Sequence, residues 1–179
     1  MWYRAVLTSL AAFLIFRSIV LSYNWYTYNQ ITKEFTTAFT KLPSNSILFV
    51  ASEGPSPDFY QVNRQPWQPP VWLLGSLATL QQSIFVPTTH AHPSQQPITV
   101  TERYAVLKAF QRDNVIRVKN SEELVALIGR IQHLAADNDM QAKPLFLLVL
   151  DPTYPDFSMP SNTQLIGSST RFVLLDLHP

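Results

Sequence analysis

The sequence predicts an α/β fold: a small, mainly parallel sheet of four to five strands with helices on its faces, carried behind an N-terminal transmembrane helix that continues into an amphipathic one. Three observations predict it. The stretch from Ala5 to Ser22 is apolar except for Arg17. Two short, wholly apolar runs, Ile47 to Ala51 and Leu145 to Leu150, are bounded by turn residues, as expected of strands covered on both faces. Helical and extended patterns alternate between and after these runs, which argues for parallel strands joined by helices.

Composition supports this reading and excludes several chemistries. The 179 residues are enough for one modest core. Charged residues make up 14% of the chain, where about 25% is usual, and the mean hydropathy is +0.02, as expected of a protein partly outside water. Thirteen basic residues against twelve acidic ones give a net charge of +1, so there is no basic surface on the scale that nucleic acid demands. With no cysteine, disulfides, thiolate catalysis, Cys-ligated zinc and iron–sulfur clusters are excluded. The only glycines stand at 54, 75, 129 and 167, from which neither a dinucleotide fingerprint nor a P-loop can be assembled.

Element by element, the N-terminal segment decides location. A bilayer core of about 30 Å needs roughly 20 helical residues. Trp2 and Tyr3 stand before the apolar stretch, and Tyr23, Trp25, Tyr26 and Tyr28 after it, as interfacial belts do. Arg17 lies about 6 Å from the midpoint near Phe13; an intramembrane Arg costs about 2.5–3.5 kcal/mol, and less when it snorkels. Residues 1–23 are therefore read as a membrane helix, in preference to a cleaved signal peptide, for which no A-x-A-like site follows, or a buried core helix. Residues 24–43 lack Pro and Gly until Pro43, and Ile31, Phe35, Ala38, Phe39 and Leu42 form an amphipathic stripe. Residues 44–179 form the α/β domain. Within it, Ser52 to Pro70 reads as a Pro-rich loop, Val71 to Gln82 as a helix, Ser83 to Val86 as a brief strand and Pro87 to Pro97 as a second loop. Glu102 to Asp113 reads as helix and Val115 to Val118 as strand. Asn120 to Asp137 is a helix opened by a capping box, Asn120 with Glu123. Phe172 to Leu177 closes the sheet, hairpinned with Leu165-Ile166 across Gly167-Ser168.

Ligands of open α/β sheets collect beyond the carboxyl ends of the strands. Those positions hold Glu53 after the first strand, His90 and His92 after the second, and Asp151 after LFLLVL. An acid, a base and a His-x-His pair are the types that proton transfer or a metal would use, but no third ligand stands at a recognisable spacing, so no metal and no cofactor are expected. No serine lies in a G-x-S-x-G elbow, and no catalytic residue is assigned. Trp67 and Trp72 flank Pro69-Pro70 and could line a groove for a sugar or a polyprenyl chain, although packing over the sheet edge is the commoner fate. Arg17 is the type of charge that often faces a second membrane protein rather than lipid.

The stretches SYNWYTYNQITKEFTTAFTKLPSNSILFVA, IFVPTTHAHPSQQPITV, LFLLVLDPTYP and RFVLLDLHP, in this order, resemble the C-terminal end of bacterial polytopic lipid-linked-sugar glycosyltransferase-like membrane proteins. In those, a last membrane helix runs through an amphipathic helix into a small extracytoplasmic α/β domain. The resemblance is one of pattern over most of the chain and contains no invariant chemistry. It implies an inner-membrane protein with a cytoplasmic N-terminus and a periplasmic domain. It also implies a non-catalytic accessory or binding role in envelope polysaccharide or glycolipid assembly, with lipid bilayer and glycan or lipid-linked sugar as partners. Because the family's catalytic acid belongs to a many-helix membrane region, the resemblance carries no catalytic residue to any position here. A small membrane-anchored enzyme using Glu53, Asp151, His90 and His92, and a structural subunit of a membrane complex, remain the competing expectations.

Overall fold

The computed structural model describes residues 2–53, 75, 77–87, 102–110, 116–140, 142–150 and 163–177. The chain opens with a single uninterrupted helix, α1 (Trp2–Phe39), of 38 residues. Its length, about 57 Å at 1.5 Å per residue, exceeds any dimension the domain core requires. No Pro or Gly interrupts it, and its hydroxyl residues bond back to their own helix: Thr8 to the Arg4 carbonyl, Ser18 to Leu14, Thr27 to Tyr23 and Thr37 to Lys33, at 2.8–3.0 Å. The apolar and amphipathic stretches are therefore two parts of one rod. Pro43 ends the reversal that follows, and the buried Ser46 hydroxyl donates to its carbonyl at 2.8 Å.

The remaining elements are β1 (Ile47–Glu53), α2 (Leu77–Gln82), α3 (Glu102–Phe110), β2 (Ile116–Val118), α4 (Ser121–Asp137), β3 (Leu145–Leu150), β4 (Gln164–Ser168) and β5 (Phe172–Asp176). They form a five-stranded sheet in the order β2-β1-β3-β5-β4. β1 pairs in parallel with both β2 and β3, whereas β5 runs antiparallel to β3 and to β4. The α/β architecture with a parallel centre thus stands. Phe85 adds one parallel bridge to Ile47, on the same edge of β1 that β2 occupies further along.

Because side chains alternate along a strand, the sheet has two buried faces. One carries Ile47, Phe49, Leu145, Leu147, Val149 and Leu175 against α3 and α4; Leu124, Leu127, Ile128 and Ile131 of α4 close it. The other carries Leu48, Val50, Phe146, Leu148, Leu150 and Leu174 against α2 and the last third of α1. Every residue of β3 is buried. Both central runs read from sequence are therefore strands covered on both sides.

Two expectations need correction. Ser52 and Glu53 belong to β1 and pair with Arg117 and Val118, so the loop does not begin at Ser52; the parallel partner β2 extends the ladder past the apolar run. The hairpin does not turn at Gly167-Ser168. Both residues remain in the ladder, opposite Leu174 and Val173, after a register shift between Leu165 and Gly167. The turn comes at residues 169–171, where Ser169 N–H donates to the Phe172 carbonyl at 2.8 Å and Arg171 N–H to Ser169 Oγ at 3.1 Å. The bulge absorbs one residue and moves the turn downstream. Its Ile166 carbonyl accepts from Lys41 Nζ at 3.2 Å, which fastens the end of α1 to the edge strand. Of the helix expected over 71–82, Leu77–Gln82 is helical and Ser83, with φ 53°, ends it, while most of 71–76 lies outside the described residues.

Candidate functional site

The order β2-β1-β3 contains a topological switch point. From β1 the chain passes through α2 to the bridge at Phe85, moving toward the β2 edge, with α2 on the α1 face. From β2 it returns over β1 through α4 to β3, with α4 on the opposite face. Right-handed crossovers taken in opposite directions place their helices on opposite faces, so the connections leave β1 and β3 in opposite directions. In open α/β sheets the region beyond the carboxyl ends of two such strands is where ligands bind.

Among described residues, the carboxyl ends of β1 and β3 are marked by Ser52 and Leu150, which are register partners. Ser52, 7% exposed, is one of two buried polar residues among those described. Glu53 is the last residue of β1, so the structure places it at this edge. Asp151, expected beside it, follows Leu150 directly in sequence and lies outside the described residues, as do Trp67, Trp72, His90 and His92. Arg17 is exposed on α1, far from the sheet in sequence and packing. The described residues hold no group of three His, Asp or Glu able to bind a metal ion.

The direction of this edge follows from two contacts of α1 and from where α1 ends. The Phe35 ring lies 4.6 Å from the Phe172 ring, and Arg171 Nε is 3.7 Å from Glu34 Oε2. Phe172 pairs with Leu150 and Leu150 with Ser52, so Glu34 and Phe35 stand level with the carboxyl ends of β1 and β3. Further along, Lys41 and Leu42 lie where the chain turns toward Ile47, the amino end of β1. α1 therefore runs antiparallel to β1. Followed backward from Phe35 toward Val20, it leaves the sheet past the carboxyl edge.

Two polar features were not legible from sequence. Thr32 Oγ1, one turn before Phe35, is buried and has no hydrogen-bond partner, unlike the hydroxyls that bond back along α1. At the opposite, amino edge, Lys143 Nζ donates to Asn45 Oδ1 at 2.6 Å and to the Tyr104 hydroxyl. Nζ lies 5.1 Å from the Tyr104 ring centroid, and since it meets the ring at its hydroxyl the contact is a hydrogen bond and not a cation–π stack. Tyr104 also packs on Phe85, with centroids 4.5 Å apart. This cluster ties α3 to the lead-ins of β1 and β3. It sits at the amino end of the sheet, opposite the edge where ligands of open α/β sheets collect. No periodicity marks such partners, because each depends on contacts between residues distant in sequence.

Set against known proteins, the chain matches no family model, no curated protein and no solved structure.

Proposed function

We propose that the chain is a membrane-anchored, non-catalytic binding module, with α1 as a single-pass anchor and the α/β domain held at the membrane surface. One observation carries this reading: α1 is one helix whose first part is apolar and exposed throughout, while its last part is built into the sheet core. Residues 2–20 are all exposed, including Phe13 at 60%, Ile15 at 62%, Phe16 at 66% and Ile19 at 62%. Their length, about 28 Å, is close to the roughly 30 Å of a bilayer core. Exposing so many large apolar side chains to water is costly at about 25 cal/mol per Å², and lipid removes that cost.

Burial starts where that length ends. Leu21, Asn24, Thr27 and Tyr28 are half-buried, and Ile31, Phe35, Ala38 and Phe39 are buried. Tyr23, Trp25 and Tyr26 remain 63–70% exposed at the junction, where amphipathic rings favour the headgroup level. Arg17 then lies about 6 Å inside the boundary at Leu21, within snorkelling reach of the headgroups, so lipid alone satisfies it without a second membrane protein. The resemblance to the tail of lipid-linked-sugar glycosyltransferase-like proteins supports a cytoplasmic N-terminus, a periplasmic domain and a role in envelope polysaccharide or glycolipid assembly.

Fractionation of cells expressing the full chain tests the anchor. The chain is expected in the membrane pellet after an alkaline carbonate wash, and a variant lacking residues 2–20 in the supernatant. Full-length protein dispersed without detergent would refute the reading.

A further inference from the structure

The sides of α1 differ as much as its ends do. From Phe35 backward, Ile31, Tyr28, Asn24 and Leu21 follow in alternating steps of four and three residues, and all are buried or half-buried. They share the side of the helix that packs on the sheet. Arg17, four residues before Leu21 and about five turns before Phe35, carries that side into the apolar stretch. The rings at the junction lie elsewhere. At about 100° per residue, Tyr26 is opposite Arg17, and Tyr23 and Trp25 flank Tyr26 on either side, about 120° and 80° from Arg17. All three are 63–70% exposed. Resting on the membrane-anchor reading, we infer that α1 crosses a phospholipid bilayer tilted toward its ring-bearing side. Arg17 then meets lipid phosphates on the raised side, the rings enter the headgroup layer on the lowered side, and the domain stands on the raised side, clear of the bilayer.

Two demands that an upright helix meets poorly carry the inference. A guanidinium is best satisfied by phosphate, and an interfacial ring by the headgroup level. Yet Tyr23 to Tyr26 stand six to nine residues beyond Arg17, about 9–13 Å along the axis. On an upright helix Arg17 closes that gap by snorkelling alone, against Cα–Cβ bonds that lean toward the N-terminus. The same lean lowers the rings toward the bilayer. A tilt toward Tyr26 helps both sides at once. Across a helix about 10–12 Å wide, an average tilt of about 20° raises the Arg17 side over the ring side by about 4 Å. The arginine stem and the length of the rings cover the rest. The opposite tilt would lift Tyr26 by as much and sink Arg17 further. Because α1 contains neither Pro nor Gly, the tilt passes unbent into the packed part. The domain lies on the side of Phe35, which is the side turned up.

The chain has no cysteine, so single cysteines can carry nitroxides in the full-length protein reconstituted in dioleoylphosphatidylcholine nanodiscs. Labels at each of residues 13–16 and 18–22 report depth through the balance of their collisions with oxygen and with a water-soluble nickel chelate. Depth is expected to fall steadily toward residue 22 with a wave of one helical period superimposed. The wave is expected to be shallowest on the side of Arg17 and about 4 Å from crest to trough. Arg17→Leu is expected to at least halve it, and Arg17→Lys, which keeps a snorkelling cation, to retain it. A steady slope without the wave, or a wave shallowest on the side of Tyr26, overturns the tilt. A wave of full size in Arg17→Leu overturns the part given to Arg17. A chain that fails to enter nanodiscs overturns the anchor reading instead, and is recognised before any depth is read.

Discussion

The two ends of α1 obey opposite rules within one continuous helix. Residues 2–20 are exposed throughout; residues 31–42 bury one stripe and leave the rest polar. Both stretches are apolar enough to be called hydrophobic, yet only the second has the i, i+3, i+4 spacing that a sheet face can cover. The comparison teaches that apolar content alone places a helix out of water, whereas the arrangement of that content decides what covers it. An all-round apolar cylinder asks for a solvent, and on the reading proposed above that solvent is lipid. A striped one asks for a surface.

The sharpest way to break this contrast is to remove an aromatic ring from each end. Phe35 is fully buried, 4.6 Å from the Phe172 ring and 6.1 Å from that of Phe39. Phe35→Ala is expected to lower the domain's unfolding free energy by about 3–5 kcal/mol, read by denaturation of detergent-solubilised protein. Phe16→Ala, at a residue 66% exposed, is expected to leave that free energy within about 0.5 kcal/mol. If both variants were equally destabilised, the exposed stretch would be packing on the domain after all, and the division of α1 would fail.

A second way is to cut the mechanical link and leave both ends intact. Ser22 is exposed, at the junction. Ser22→Pro removes one helical hydrogen bond and clashes with the Ser18 carbonyl, costing the helix about 3 kcal/mol. The expected outcome is a domain whose thermal midpoint is unchanged but whose fixed orientation to the membrane is lost, seen as a fall in the contrast between fluorophores on Thr170→Cys, in the β4–β5 turn, and Ala142→Cys, before β3, when each is quenched by a nitroxide on a lipid headgroup. An unchanged contrast would show that something other than helical continuity holds the domain in place.

Much of this architecture was legible because it is local. LFLLVL and ILFVA declare buried strands by composition, and the lack of Pro and Gly up to Pro43 declares one helix. The hairpin misled, because Gly167-Ser168 has turn chemistry while the register shift at Ile166, satisfied by Lys41 from across the chain, keeps those residues in the ladder. The switch point was out of reach altogether. It depends on strand order, and β2, with only three residues, carries little pattern of its own. Of the candidate site, Glu53 was expected just beyond the first strand and is instead its last residue, because pairing with the short β2 prolongs the ladder past the apolar run. Thr32 carried no signal at all: a Thr in a helix usually bonds its own backbone, and only packing shows that this one does not.

The smallest expected effect lies on the face that α1 never touches. Asn120 caps α4: its Oδ1 accepts from the Glu123 N–H at 2.8 Å, and Glu123 Oε2 in turn accepts from the Lys119 N–H at 2.8 Å. This box differs from the usual one in reaching back one residue further, to Lys119 rather than to the cap itself. Asn120→Ala therefore orphans the Glu123 N–H while the Lys119 bond can persist, and the expected loss is about 1 kcal/mol. α4 packs on the opposite sheet face from α1, with no partner shared between Asn120 and Phe35. The two losses should thus add within about 0.5 kcal/mol in the double variant. The same cap loss is expected with residues 2–20 present or deleted, because those residues contribute nothing to the core that α4 closes. A cap effect that depended on residues 2–20 would mean that the anchor and the far face of the sheet communicate, which their separate packing forbids.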